Sequence, residues 1–437
     1  MKDHKRQLLD VALFDYQYIQ RHLTEMAAKG WRLERITAFG VWHYRRSEPA
    51  DVRYEITYAP SASAYNSRPT EAEEALSDLC AEAGWERVAT LAQLHIYCNE
   101  DTGAIPIETD ELTRIQTLKK AINRHFVPSY LLLAALFAVQ LFMHLQNVSS
   151  WPVTTLSSNL MIGNLILLPI TILSYLAMIG GYLWWAHRAE KAARSGQPIP
   201  ESVFYRRFRW FFWVVIVAYL SLLLLSTGLE IAAVILAIGG TTVGLTGITM
   251  NITKAAGAPK WVNILVPFLV TFLGLMLLTP LVFNFLDTVS LSDEPTPSDS
   301  LPLMITDLVD ADHTQHTIME NSSSLILSQT RYWDRQETAE NGLSLSYTVI
   351  DTEFDLAWEL CLNYQEQQLL QSAYTLSNGI ISMNQGDLWG AEYARRAPGD
   401  YNDRWLICWE GRIVSLRTSW PLTDEQIAIA AELLRPQ

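Results

Sequence analysis

From Tyr16 to Lys29 the apolar positions Ile19, Leu23, Met26 and Ala27 recur at helical spacing, and Gly30 follows as a residue free to take the left-handed conformation that closes a helix. The next stretch, "WRLERITAFGVWHYRRSEPADVRYEITY", is rich in β-formers, and "SEPAD" supplies a turn between two strands. Within it Val52, Tyr54, Ile56 and Tyr58 alternate with polar residues, which predicts one buried face. A second helix carries Ala75, Leu76, Leu79 and Cys80 inward, Gly84 stops it, and "WERVATLAQLHIYC" reads as a last strand. The order is αββαβ, an α+β domain over residues 1–105 with helices on a small antiparallel sheet. "MAAKGWRLERI" from Met26 and "LCAEAGWERVA" from Leu79 each set Gly-Trp between a helix and a strand. The pair predicts a duplicated helix–strand unit. Each Trp is read as a plug at the corner, with partner binding as the alternative.

Residues 106–126 follow as a connector helix with Leu112, Ile115, Leu118 and Ile122 on one face. Five apolar runs then lie within 127–286, approximately Val127–Gln146, Leu160–Trp185, Trp210–Ser226, Leu229–Met250 and Val262–Phe285, each near the ~20 residues needed to cross a bilayer. None contains Lys or Arg, and the single acid, Glu230, sits at the edge of its run. The reading is a block of five transmembrane helices with a turn near 227–230. Lys119, Lys120 and Arg124 precede the first run, six cations from Arg188 to Arg209 separate the second from the third, and Lys254 and Lys260 separate the fourth from the fifth. The intervening loops have none. This alternation predicts a multi-pass cell-membrane protein with a cytoplasmic N-terminus and an extracytoplasmic C-terminus. Pro169, Pro267 and Asn164 lie within the runs, but no central charge marks a transport pathway.

A polar, Pro/Ser-rich linker over 287–302 leads to a second α+β domain at 303–437, expected outside the cell. "SLILSQTRYW", "LSLSYTVI", "WGAEYARR" and "RWLICWEGRIVSLRTSW" read as strands, with Glu410-Gly411 at a tight turn. Thr352 is placed to cap the helix that follows it, and Thr423 and Gln426 have capping-box spacing ahead of a last helix.

Charge sharpens this division. Of the 437 residues, 1–125 hold 16 Lys+Arg and 19 Asp+Glu, 126–286 hold 8 and 3, and 287–437 hold 8 and 24, all eight cations there being Arg. An acidic chain of net charge −14 gives no field for nucleic acid, so none is expected as a partner. The N-terminus "MKDHKRQLLD" has charge but no apolar run after it, so no cleavable signal is expected. Asp310, Asp312, His313 and His316 in "DLVDADHTQH" offer oxygen and nitrogen donors for a metal, or form a polar loop. Cys361 and Cys408 are either a disulfide or two buried thiols. No hydrolase elbow, zincin, Walker or dinucleotide motif occurs, so neither catalysis nor a cofactor is expected.

The pattern from Leu23 to Leu33 ("LTEMAAKGWRL") and from Phe39 to Ile56 resembles the bacterial family known as domain of unknown function 2812, over roughly the first hundred residues. The later layout is similar to that of the family's longer multi-span members. The family has no assigned activity and brings no catalytic residue with it. Its genes often lie beside PadR-like repressors, which implies a regulatory setting by association. The expected function is a non-enzymatic signalling or regulatory relay, joining an extracytoplasmic domain through the bilayer to a cytoplasmic protein-binding domain. A structural or accessory subunit of a membrane complex or transporter is the alternative. Trp31, Trp42, Arg45, Arg46 and Arg53 are the candidate contacts to a cytoplasmic protein, since aromatics with nearby Arg are common in interface hot spots.

Overall fold

A computed structural model describes residues 3–9, 12, 14–37, 40–91, 93–288, 296–298, 300–311, 314–336, 342–377, 381–399 and 403–436. They divide into two compact units. One comprises Met1–Ala138, Pro169–Ser221 and Ala233–Pro280, the other Val139–Leu168, Leu222–Ala232 and Leu281–Gln437.

The first unit begins with β1 (His4–Leu8), α1 (Tyr16–Ala28), β2 (Trp31–Ile36), β3 (Val41–Arg46), β4 (Arg53–Tyr58), α2 (Glu71–Glu82), β5 (Glu86–Leu91) and β6 (Leu94–Asn99). These elements form two three-stranded antiparallel sheets, in the orders β1-β3-β2 and β4-β6-β5. The expected αββαβ order is therefore corrected to βαββ written twice. In each copy the first strand pairs with the third, which lies in the middle. The likeness extends to detail. Gly30 and Gly84 take φ of +77° and +81°, and each copy breaks register four residues later, between Leu33 and Arg35 and between Arg87 and Ala89. A left-handed corner and a bulge are both costly to place by accident, so their common spacing marks a true internal repeat.

The described helices that follow are α3 (Glu111–Ser150), α4 (Pro152–Leu156), α5 (Asn159–Arg194), α6 (Val203–Ala255) and α7 (Lys260–Thr288). Three are long and apolar enough over a sufficient stretch to cross a membrane: Glu111–Ser150, Asn159–Arg194 and, within α6, Ala232–Ala255. Trp210–Ser226 and Lys260–Gly274 are shorter apolar stretches. The expected third and fourth runs thus fall in one helical segment, because the stretch around Thr227-Gly228 has neither a proline nor a charge cluster to stop it. That segment is not straight. Fifty-three residues would extend about 80 Å. Yet the residues flanking both ends contact the βαββ lobe: Glu201 lies 2.5 Å from Arg21, and Ser67 donates to the Ala258 carbonyl at 2.5 Å. A lobe of ~100 residues has a radius of gyration near 13 Å, so the helix must fold back between those contacts.

The second unit ends in a seven-stranded antiparallel sheet. Its elements are β7 (Thr296–Pro297), α8 (Ile305–Leu308), β8 (Thr314–Ser323), β9 (Ser328–Gln336), β10 (Ser344–Asp351), α9 (Asp355–Ser377), α10 (Gly386–Trp389), β11 (Tyr393–Pro398), β12 (Asp403–Trp409), β13 (Arg412–Thr418) and α11 (Asp424–Leu434), with strand order β11-β12-β13-β10-β9-β8-β7. Period-2 alternation gives the sheet two faces. On one, Tyr347, Trp405, Ile407, Val414 and Leu416 pack with Trp389 of α10 and Ile427 and Leu434 of α11. On the other, Ile350, Leu406, Cys408 and Ile413 pack with Ala357, Cys361 and Leu369 of α9. The expected capping box of Thr423 and Gln426 starts α11, and Gly411 turns β12 into β13 at φ +75°.

Candidate functional site

The five candidate contact residues of the lobe do not share one surface. Trp42 is 1% exposed and lies in the core, where strand alternation also carries Tyr44, Tyr54 and Tyr58. All four rings occupy inner-face positions, so Trp42 is corrected from a candidate contact to a core residue. Arg53 is half-buried and tied down within the lobe, donating to the Ala104 carbonyl at 2.7 Å and to Glu55 at 3.4 Å. Trp31 and Arg46 do come together, while strand alternation turns Arg45, opposite Arg32, to the other face of the sheet. Arg45 and Arg46 are exposed at the end of β3, and half-buried Trp31 pairs with Arg46 across the β2–β3 ladder, with Lys5 Nζ 5.9 Å from its ring centroid.

The lobe's main core does not stop at the lobe. Phe14, Tyr16, Ile19 and Leu23 share one cluster with Ile115, Leu118 and Ile122 of α3 and with Tyr182, Trp185 and Ala189 of α5. Its polar clasp is Arg114, 5% exposed on the first turns of α3. Arg114 donates to Glu111 Oε1 at 2.9 Å, to the Glu108 carbonyl at 2.7 Å and to Glu55 Oε2 at 3.3 Å, and its guanidinium lies over the Tyr16 ring at 5.5 Å. Burial pushes the Glu55 and Glu108 carboxyls above the usual range even though Arg114 draws both down. Burial also opposes the charge on Arg114, but Glu111, Glu55 and the other acids outweigh it and raise the guanidinium pKa. One cation shared among three carboxylates explains why its own charge gains more than theirs. Beyond Arg114, Lys119 pairs with Glu190, and Tyr182 donates to Asn123 at 2.9 Å, joining α3 to α5.

The far end of the same helix pair is built into the C-terminal domain. The short α4, between α3 and α5, buries Val153 and Leu156 against Leu327, Ile350 and Ala357. The β8–β9 turn grips it: Ser324 Oγ donates to the Leu156 carbonyl at 2.5 Å, Ser322 Oγ to Ser157 Oγ at 3.0 Å, and Leu325 N to Asn159 Oδ1 at 3.1 Å. That turn is also one wall of a cleft of about 760 Å³, whose other walls include Glu353, Phe354, Trp358, Glu392 and Glu410. Sequence periodicity did not reveal the cleft, because its walls come from five separate segments.

The two chemical candidates of this domain resolve differently. His316 is a strand residue with Nδ1 3.1 Å from Oδ1 of the fully buried Asp334, whose other oxygen accepts from Ile305 N at 2.6 Å. Asp312 and His313 lie outside the described residues, and among the described residues, Asp310 and His316 included, no group of three or more His, Cys, Asp or Glu side chains is placed to hold a metal. Cys361 and Cys408 are free thiols buried in one cluster, and burial pushes both up to about 12. Of the two readings offered by the sequence, the structure has the thiol form.

A duplicated βαββ lobe whose core continues into helices long and apolar enough to cross a membrane defines the class of α+β protein to which the chain conforms. Residues 15–130 match the family described as "Protein of unknown function (DUF2812)", and the chain carries a domain of that family. The match extends past the strands to Tyr130, so the family unit includes the Arg114 clasp and the start of α3. Comparisons with curated proteins and with solved structures returned no match.

Proposed function

We propose that the protein is a non-enzymatic relay in the cell membrane, in which the α3–α5 hairpin couples the C-terminal domain to the βαββ lobe. The observation that carries this reading is where the hairpin is anchored. Its open end belongs to the core of the lobe, through Ile115, Leu118, Tyr182 and Trp185. Its closed end, α4, belongs to the core of the C-terminal domain, through Val153 and Leu156. A ligand entering the cleft beside Phe354 and Trp358 would press on the β8–β9 turn that holds α4. Packed interiors deform little, so a shift of α4 is passed along the helices rather than absorbed. The output face we assign to Arg46 and Trp31, facing a cytoplasmic protein.

The same contacts support five crossings, with the lobe in the cytoplasm and the C-terminal domain outside. Residues next to the two basic inter-helix loops, Glu201 and Ala258, contact the lobe, whereas the cation-free segment 151–159 contacts the C-terminal domain. The fold-back of α6 supplies the extra crossing within one helical segment. Reporter fusions after Gln197 should read cytoplasmic and those after Ser158 and Ser300 extracytoplasmic.

The coupling is tested by amide hydrogen exchange on the full-length protein in nanodiscs. Leu156→Ala should loosen the C-terminal core and also speed exchange over residues 111–126. Faster exchange at 324–327 with no change at 111–126 would show that the hairpin transmits nothing.

A further inference from the structure

The cations of the C-terminal region are distributed very unevenly. Residues 287–437 hold 24 acids and only eight arginines. Strand alternation puts five of the eight, Arg331, Arg335, Arg395, Arg404 and Arg417, on the sheet face that carries α9. Three of these converge. In the ladder register Arg404 stands directly opposite Arg417, which stands opposite Ser346. In the next row of that face Ser415 stands opposite Thr348, and Thr348 opposite Arg331. Helix α9 covers β11 and β12 but leaves this part of the face open, and Gln368 and Ser372 on its flank close a pocket of about 210 Å³. Among the described residues no carboxylate lines it.

Like charges directly opposite one another across an antiparallel pair are destabilising. Neither Arg404 nor Arg417 has a carboxylate within ion-pairing distance among the described residues, although the region has three acids for every arginine. Arg404 donates to Ser372 Oγ, but its Nε is buried without a hydrogen-bond partner. Burial and the neighbouring Arg417 together press the Arg404 guanidinium below its ordinary pKa, the signature of a cation that lacks its anion. Arg331 adds a third guanidinium, mostly exposed, with Glu320 at 3.5 Å on its other side. Around them Ser346, Thr348 and Ser415 supply neutral hydroxyl donors.

We propose that this pocket is a binding site for a phosphate group, held between Arg404 and Arg417 with Arg331 at its mouth. Guanidinium forks match the oxygens of phosphate two at a time. A tetrahedral anion carrying up to two charges offers enough oxygens for two arginines and the hydroxyl row together, which a planar carboxylate does not. The volume, about 210 Å³, suits a phosphate or a phosphorylated headgroup. The phosphate can come from solution or from an anionic phospholipid, and the test separates the two.

Full-length protein in a maltoside detergent, which carries no phosphate, is titrated with inorganic phosphate at constant ionic strength by calorimetry. In a second arm, phosphatidylglycerol or phosphatidylcholine is added to the same micelles and the thermal midpoint of the C-terminal domain is followed. Wild type should bind inorganic phosphate saturably, and Arg417→Gln should weaken that binding at least tenfold. Because Arg417→Gln also removes a like-charge contact, its midpoint without ligand should equal or exceed that of wild type, which separates lost binding from lost folding. A rise with phosphatidylglycerol alone that disappears in Arg417→Gln would support the site and assign its ligand to lipid. The proposal is overturned if neither ligand acts, or if either acts equally on wild type and Arg417→Gln.

Discussion

The two βαββ repeats of the lobe use one backbone plan for two different interiors. Ile19 and Glu73 each lie eleven residues ahead of their Gly-Trp, and Trp42 and His95 occupy matching positions on the central strands, one residue from Val41 and Leu94 at the strand starts. In the first repeat this gives a buried Ile and a buried Trp, part of the core that runs into α3 and α5. In the second it gives a buried Glu and a buried His, with His95 Nε2 3.2 Å from Glu73 Oε1. The helices differ accordingly. α1 buries Tyr16, Ile19, Leu23, Met26 and Ala27, whereas α2 buries only Glu73 and Cys80 and leaves Leu79 65% exposed. Local code set the shared corner and bulge. What packs against each repeat decided the rest.

The Trp residues after the two glycines offer the largest test of this difference. Trp85 is 2% exposed and donates from Nε1 to the Ile105 carbonyl at 3.1 Å, inside a small cluster with Cys80 and Tyr97. Trp31 is only half-buried. Trp85→Ala should lower the opening free energy of the lobe by about 3–5 kcal/mol, and Trp31→Ala by about 1–2 kcal/mol. Hydrogen exchange on the full chain measures both, since local opening remains defined where one global unfolding transition is not. Equal costs would mean that the half-exposed ring is as firmly packed as its twin, and the contact surface assigned to Trp31 would lose its main aromatic.

The glycines separate by a smaller margin. Both are left-handed, a conformation that costs a side chain about 1–2 kcal/mol. A Cβ on Gly30 would also stand 2.8 Å from the Ser47 carbonyl oxygen, a backbone atom fixed by Ser47 N donating to the Gly30 carbonyl at 3.0 Å. A Cβ on Gly84 would meet only the Asn99 side-chain amide at 3.3 Å, which can swing away. Gly30→Ala should therefore cost about 2–4 kcal/mol and Gly84→Ala about 1–2 kcal/mol. A reversed order in the exchange data would break this difference between the two corners.

These corners were legible in the sequence because Gly-Trp sits between two changes of periodicity, a signal carried by neighbouring residues. The first strand was not. His4–Leu8 is a polar edge strand with no alternation to read, as edge strands often are to discourage further pairing. The capping box at Thr423 and the turn at Gly411 were local and legible. A turn near 227–230 was expected, but helical hydrogen bonding runs through that stretch, because Leu-rich sequence on both sides favours helix. Trp42 was misplaced since alternation says which residues share a face, not which face is covered. The arginine pocket was invisible for a deeper reason. Arg331, Arg404 and Arg417 meet only through the pairing of β9, β10, β13 and β12, and register across distant strands is written in no single stretch of sequence.

The smallest expected effect is the one most specific to the second repeat. Burial pushes the His95 pKa below its usual value, with Glu73 opposing, so the folded lobe holds His95 less protonated than the unfolded chain does. Between the depressed folded pKa and the unfolded value near 6.5, the unfolded state binds more protons, and stability rises with pH through that window. The contribution is therefore fully present above about pH 6.5 and is lost as pH falls below it. The first repeat has Trp42 at the matching position and no such group there. Acidification from pH 7.5 toward pH 5.5 should thus speed exchange in α2, β5 and β6 before it does so in α1, β2 and β3, after correction for the intrinsic pH dependence of exchange. His22 in α1 is also lowered by burial, but it is only half-buried whereas His95 is fully enclosed, so charging His22 should disturb the first repeat less. His95→Leu should flatten the acid limb in the second repeat, while Glu73→Gln should steepen it by removing the carboxylate that favours the protonated ring. An acid response that remains in His95→Leu, or one that appears first in the first repeat, would place the sensitivity elsewhere and leave the two interiors electrostatically alike.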